Sequence, residues 1–150
     1  MKPREVHGDY GKRLFTTYNN MKQRCNNKKF KQWQDHGGRG ILVCDEWLNS
    51  YITFKKWALA NGYSDELTLD RINNNEGYYP ENCRWANHFQ QRKNSRIRKD
   101  NTSGIRGISF RKDTHKYFAY IWKDKKRKSL GCYLTLETAK LAREIAEKNW

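Results

Sequence analysis

The sequence has no run of about 18 apolar residues, so no segment of it is expected to span a bilayer. Its first stretch, Met1 to Tyr10, has no apolar centre, so a signal peptide is not expected either. An intracellular, cytoplasmic location with reduced thiols is the resulting expectation. Acidic residues are scarce: 16 Asp and Glu stand against 31 Lys and Arg, a net charge of +15 on 150 residues. Such a field draws polyanions and says nothing about fold. Nucleic acid is the first partner to expect, with an anionic membrane surface as the alternative. Internal repeats are absent. None of the four cysteines pairs in a Cys-x-x-Cys spacing. Aromatics are not scarce: they make up 14% of the chain, with six Trp, which a disordered basic tail would not carry. Two small cores are expected rather than one large one.

The pattern along the chain predicts an α+β protein. Leu14, Phe15, Tyr18 and Met21 recur at helical spacing within Lys12–Cys25, and Asn26-Asn27 ends that helix. Gly37-Gly38-Arg39-Gly40 is a turn that needs permissive backbone. Ile41 to Cys44 is a short apolar run, a strand or a segment entering the core. Trp47, Ile52, Phe54, Trp57, Ala58 and Leu59 predict a second helix closed by Asn61-Gly62. Leu67 to Ile72 alternates like a strand, Asn73 to Gly77 is a loop, and Cys83 to Ala86 is the returning strand. Asn87 caps a helix through Asn94. Residues 1–95 form the first expected domain, 96–103 a basic linker too charged to pack, and 104–150 the second domain. In that second part Gly107–Arg111, Tyr117–Lys123 and Arg127–Tyr133 are expected strands. Asp113-Thr114-His115 and Asp124-Lys125-Lys126 are their turns. Thr135 caps a last helix whose inner face is Ala139, Ala142, Ile145 and Ala146. The whole is a helix-rich domain with a ββα hairpin, then a three-stranded antiparallel sheet on one helix.

A sheet backed by one helix has a free face, and residues two apart on a strand share it. Ser109 with Arg111, and Tyr120 with Trp122, are therefore expected together. Arg106 falls beside the first strand and Lys116 opens the second. Lys123, Lys125, Lys126, Arg127 and Lys128 crowd the next turn and strand. Arginines for base edges, lysines for phosphates and interleaved aromatics suit a DNA groove. The alternative is a solvated charged sheet. Arg92, Lys93, Arg96, Arg98 and Lys99 would lie along the backbone of double-stranded DNA.

Residues 102–147 resemble the APETALA2/ethylene-response DNA-binding domain. Ile105-Arg106-Gly107-Ile108, Lys116 to Ile121, Ser129-Leu130-Gly131-Cys132-Tyr133 and the helix with Thr135, Glu137, Ala139 and Ala142 carry the resemblance. It implies that the sheet enters the major groove, with Arg106, Ser109, Arg111, Lys116, Tyr120 and Trp122 toward DNA. Tyr117 stands where that family commonly has Trp, and Trp122 where it commonly has Arg, so its target sequence does not transfer.

Residues 12–95 resemble a phage-type branch of the HNH (His-Me finger) endonucleases. The likeness rests on His36 to Ile41, Val43 to Trp47, Leu69 to Ile72 and Tyr79 to Trp85, ending in Gln91 and Asn94. The pairing with an APETALA2-type module resembles a homing-endonuclease architecture, which implies the cytoplasm of a bacterial host. In such a hairpin a strand carboxylate and a helix side chain hold a hard cation, Mg²⁺ or Mn²⁺, which stabilises charge on the phosphate. Asp70 takes the carboxylate place, and Asn94, then Gln91, then His88 are the helix ligands to consider. Arg71 stands where the general-base His is usual and cannot take a proton; it would clamp the phosphate, with His88 supplying an imidazole. Metal-dependent, site-directed DNA cleavage or nicking is the leading expectation. A DNA-binding protein with an inactive nuclease fold is the rival, and RNA binding by charge and stacking a third.

Cys25, Cys44 and Cys83, with His36 or His88, leave a structural Zn²⁺ open beside buried free thiols. Cys132 reads as sheet core. The glycine turn could cradle a phosphate, but it lacks the strand–loop–helix setting of a nucleotide site, so no nucleotide cofactor is expected.

The charge reading is testable. If about five to eight phosphates are neutralised, log K for duplex DNA against log salt should slope at about −4 to −7, roughly 0.9 per contact. A slope near zero in a titration from low to physiological salt would remove the electrostatic argument.

Overall fold

The computed structural model describes residues 6–123 and 126–149. Met1–Glu5 of the N-terminal stretch and Asp124 and Lys125 of the anticipated second turn lie outside them. The chain divides after Ser95 into two compact units.

The first unit begins with α1, Arg13–Asn26, which buries Leu14, Tyr18, Met21 and Cys25 along one face. Asn27 closes it in an extended conformation. The glycine turn is one of two consecutive 3-10 turns, Trp33–Asp35 and Gly37–Arg39, and Gly40 adopts φ 80° after them. Ile41 and Val43 are buried, and Val43 makes an isolated parallel bridge with Tyr78. The single helix expected over Trp47–Leu59 is two: α2, Asp45–Asn49, and α3, Tyr51–Ala60. Ser50 separates them with extended backbone, and its hydroxyl caps α3 by accepting from the Thr53 amide at 3.1 Å. Hydroxyl capping is what Ser does better than it continues a helix, and apolar spacing alone did not register it. Trp47 and Phe54 meet edge to face at 5.1 Å in the centre of this core.

The ββα hairpin follows: β1, Thr68–Arg71, pairs antiparallel with β2, Cys83–Ala86. Asn87 and Gln90 form a reciprocal capping box that starts α4, His88–Asn94. Asp9 anchors the N-terminal segment. Its buried carboxylate accepts from Lys12 at 2.7 Å, Lys55 at 2.5 Å and the Tyr51 hydroxyl at 3.0 Å. These partners, the lysines foremost, hold its carboxyl well below the usual carboxylate range.

The second unit is a sheet of order β3-β4-β5, all antiparallel: β3, Ile108–Arg111; β4, Lys116–Lys123; β5, Lys126–Tyr133. α5, Leu136–Lys148, capped by Thr135, packs on it. Ile108, Ala119 and Ala139 are the core, with Tyr117, Leu130, Tyr133 and Leu136 packed around them. The inner face of α5 differs from expectation at one position. Ile145 is 51% exposed, while Arg143 turns inward and donates to the Tyr120 carbonyl at 2.8 Å. Positions 139, 142, 143 and 146 keep the three- and four-residue spacing of one helix face, and 145 falls off it.

Residues 96–103 were expected to be a linker, and their last part is tied to β3. The Ser103 hydroxyl donates to the Ile108 carbonyl at 2.6 Å, and the Asn101 amide to the Ile105 carbonyl at 3.0 Å. Thr102 takes both sides of Phe110, accepting from its amide at 2.8 Å and donating to its carbonyl at 3.2 Å. Short polar side chains here replace the backbone partners of a strand edge.

Gly107 is the tightest position in this unit. Its φ is +73°, and a Cβ there would lie 2.6 Å from the Tyr120 carbonyl oxygen and on top of the Arg143 guanidinium. Gly107→Ala should therefore destabilise the sheet by about 1–3 kcal/mol. Urea unfolding followed by Trp fluorescence measures it; an unchanged midpoint would mean the turn relaxes freely.

Candidate nucleic-acid interface and the hairpin carboxylate

In the second unit, strand alternation sorts the side chains. Ile108 opposite Ala119, and Phe110 opposite Tyr117, face the helix. The other set, Ser109, Arg111, Lys116, Phe118, Tyr120 and Trp122, shares the free face with Arg127, Ser129 and Cys132. The Arg111 guanidinium lies over the Phe118 ring at 4.7 Å. Arg127 lies over both Phe118, at 5.8 Å, and Tyr120, at 5.4 Å. The two rings stack at 6.1 Å and 28°. Trp122 stands opposite Arg127 and is 62% exposed.

Ser109, Arg111, Lys116, Tyr120 and Trp122 thus come together. Arg106 is half-buried and precedes β3, outside this row. Lys126 and Lys128 alternate to the other side of β5 from Arg127, and both are exposed. Cys132, expected in the core, is exposed on the free face because it pairs with Phe118. Sequence reasoning placed Arg127 only in the basic crowd of β5 and left out Phe118; their places opposite Trp122 and two residues from Tyr120 were the signal. Arg92 and Arg96 are exposed, and Arg98 is paired with Asp100 at 2.6 Å, which lowers the Asp100 carboxyl.

In the first unit, Leu69 opposite Trp85 and Arg71 opposite Cys83 lie on one face of the hairpin, and Asp70 opposite Arg84 on the other. Asp70 Oδ2 accepts from Arg84 Nε at 3.0 Å. From α4, Asn94 Nδ2 donates to Asp70 Oδ2 at 3.1 Å and Oδ1 at 3.3 Å, and to the Arg71 carbonyl at 2.5 Å. Asn74 in turn donates to the Asn94 carbonyl, and Arg39 donates to Asn75 Oδ1 at 2.7 Å and to the Asn74 carbonyl at 3.3 Å. The loop after β1 therefore braces the end of α4. Neither Asn74 nor Arg39 was legible as a brace, because 35 residues separate Arg39 from Asn74.

Asp70 and Asn94 meet, and Arg71 does not join them. Consecutive strand residues point to opposite faces, and Arg71 is only 7% exposed. Its Nη1 donates to the Glu76 carbonyl at 2.7 Å and its guanidinium lies over the Tyr78 ring at 4.9 Å. Expected as a phosphate clamp, Arg71 is buried here as a core post, turned away from Asp70. His88 is exposed on the first turn of α4, and Gln91 is half-buried one turn before Asn94.

A hard cation would take oxygens, and here those of Asp70 would have to exchange hydrogen-bond donors for the ion. Both Asp70 oxygens already accept hydrogen bonds, Arg84 places a guanidinium on one, and Asn94 turns its nitrogen toward them. For zinc, no three His, Cys, Asp or Glu side chains gather as a ligand group among the described residues. Burial pushes the Cys25 thiol up to about 11 and the Cys83 thiol to about 12, against the pull of Arg71, so both are protonated at neutral pH. Burial, first of several causes, lowers His36.

Family models, curated proteins and solved structures offer no match to this chain.

If Arg71 is a core post, Arg71→Ala should lower the unfolding free energy by about 2–4 kcal/mol, through the lost carbonyl bond, the lost ring contact and the void. Denaturant titration is the check, and wild-type stability would return Arg71 to the list of surface groups.

Proposed function

We propose that this chain binds double-stranded DNA, with the free sheet face of the second unit laid against a groove. The observation that carries the reading is the row Arg111–Phe118–Arg127–Tyr120. Guanidinium groups stacked on rings are held extended, so their planar donor edges are presented with less entropy left to lose on binding. Such edges match the paired acceptors of a guanine in the major groove. The net charge of +15 supplies the long-range attraction and the salt dependence. The resemblance of residues 102–147 to the APETALA2/ethylene-response domain supports the same face.

A second reading, metal-dependent nicking of DNA by the first unit, is favoured by one observation: α4 brings Asn94 onto Asp70. The reading requires Arg84 to leave the Asp70 carboxylate, which an incoming phosphate would encourage, and Asn94 to turn its oxygen over. Mg²⁺ or Mn²⁺ would be the ion of such an oxygen site. With Arg71 turned into the core and unable to take a proton, the strand residue next to Asp70 does not serve as a base. The inactive-fold reading is therefore the better supported of the two.

Fluorescence anisotropy on a duplex library tests the proposal. Arg111→Ala and Arg127→Ala should each weaken selected duplexes by about 1–3 kcal/mol and flatten the preference among sequences, while Lys126→Ala weakens all alike. Equal loss from all three on every sequence would mean the face does not read bases. Tighter binding of single-stranded RNA would replace DNA with RNA as the ligand. Plasmid nicking with Mg²⁺ or Mn²⁺ that vanishes in Asp70→Ala would establish the second reading.

A further inference from the structure

α4 has two unlike faces. Gln91 and Asn94, three apart, are half-buried, and Asn94 is fastened to the hairpin. Phe89, Arg92 and Lys93 are exposed and share another face, at the three- and four-residue spacing of helix neighbours. Phe89 is 75% exposed, a whole aromatic ring held in water on a seven-residue helix that has no acidic residue. The charge on the helix has one sign, Arg92 and Lys93 in its last turn. The helix is tied by the capping box at its start and by Asn74 and Asp70 at its end.

We propose that Phe89 is a wedge that enters a base step of duplex DNA while Arg92 and Lys93 grip the flanking phosphates. The inference rests on the DNA-binding reading above and assigns the first unit a role in it. A cationic rim selects a polyanion, and within that polyanion the faces of bases offer the largest apolar surface to a ring. Side chains of this kind partly unstack one step and kink the duplex, and hydrogen bonds at both ends of α4 fix the backbone that carries the ring.

Partial unstacking unwinds the helix, so the test needs no knowledge of the target sequence. Relaxed closed-circular plasmid is saturated with the full chain in EDTA, treated with a metal-independent topoisomerase, and stripped of protein. Occupancy is followed by Trp fluorescence. The wild type should leave a ladder of altered linking number. Phe89→Ala, at matched occupancy, should lose most of the unwinding and about tenfold in affinity, in line with the stacking of one aromatic on a base. Phe89→Leu, which keeps an apolar wedge, should retain unwinding. Thermal melting of Phe89→Ala should match the wild type, since the ring is outside the core; a clear drop would assign it to packing and overturn the wedge. A wild type that binds plasmid without changing its linking number, or equal unwinding by Phe89→Ala, overturns the wedge and leaves DNA binding standing. A wild type that does not bind plasmid at all removes the DNA-binding reading and the wedge with it.

Discussion

A guanidinium buried beside two thiols sets much of the first unit. Arg71 is drawn into the core face of the hairpin by strand alternation, and burying a cation is costly unless its donors find partners. The loop after β1 supplies one: it folds back so that the Glu76 carbonyl accepts from Nη1, and Tyr78 offers its ring face. That closure brings Tyr78 against the segment Leu42–Cys44, where the Tyr78 amide donates to Leu42 and its carbonyl accepts from Cys44. It also places Asn74 under the end of α4. The backbone carbonyl of the same Arg71 accepts from Asn94. Side chain and main chain of one residue thus register the loop and the helix, and Asp70 is held between them.

The second unit solves a different problem with less apolar material. Its core cluster of buried residues is Ile108, Ala119 and Ala139, two of them alanines, with Ile121 also buried on β4. So small a core demands close approach of helix and sheet, and Gly107 and Ala139 permit it. Arg143 then bridges the gap from α5 to the β4 backbone at Tyr120 and pairs with Glu147 at 2.8 Å. An arginine spent on this inner bond leaves the opposite sheet face to Arg111 and Arg127, whose partners are rings rather than carboxylates. Rings hold a guanidinium in place without neutralising it, so the face stays positive where an ion pair such as Arg98–Asp100 would cancel it.

Much of this was legible along the chain. The hairpin strands, the Asn87 cap and the sheet with its Thr135-capped helix all follow from local rules, whereas the meeting of Asp70 with Asn94, 24 residues on, was expected only from the resemblance to the nuclease hairpin. Alternation with period two, capping chemistry and helical spacing act over a few residues, and those residues are adjacent in sequence. Where expectation failed, the deciding contact came from elsewhere. Ser50 broke a helix because its hydroxyl found the Thr53 amide. Ile145 yielded the inner face to Arg143, whose carbonyl partner is 23 residues away. Residues 101–103 joined β3 through side-chain hydrogen bonds that composition does not reveal.

The sequence alone determined the class of the protein: a strongly cationic α+β chain in two parts, because charge, periodicity and turn residues are properties of the chain itself. The tertiary structure alone decided which cations face outward. Arg71 and Arg143 turn inward, where carbonyls, the Tyr78 ring and the Glu147 carboxylate engage their guanidinium groups. Arg111 and Arg127 remain on the surface over Phe118 and Tyr120. Burial distinguishes four arginines of identical chemistry, and burial is a property of the packed molecule that no residue carries by itself.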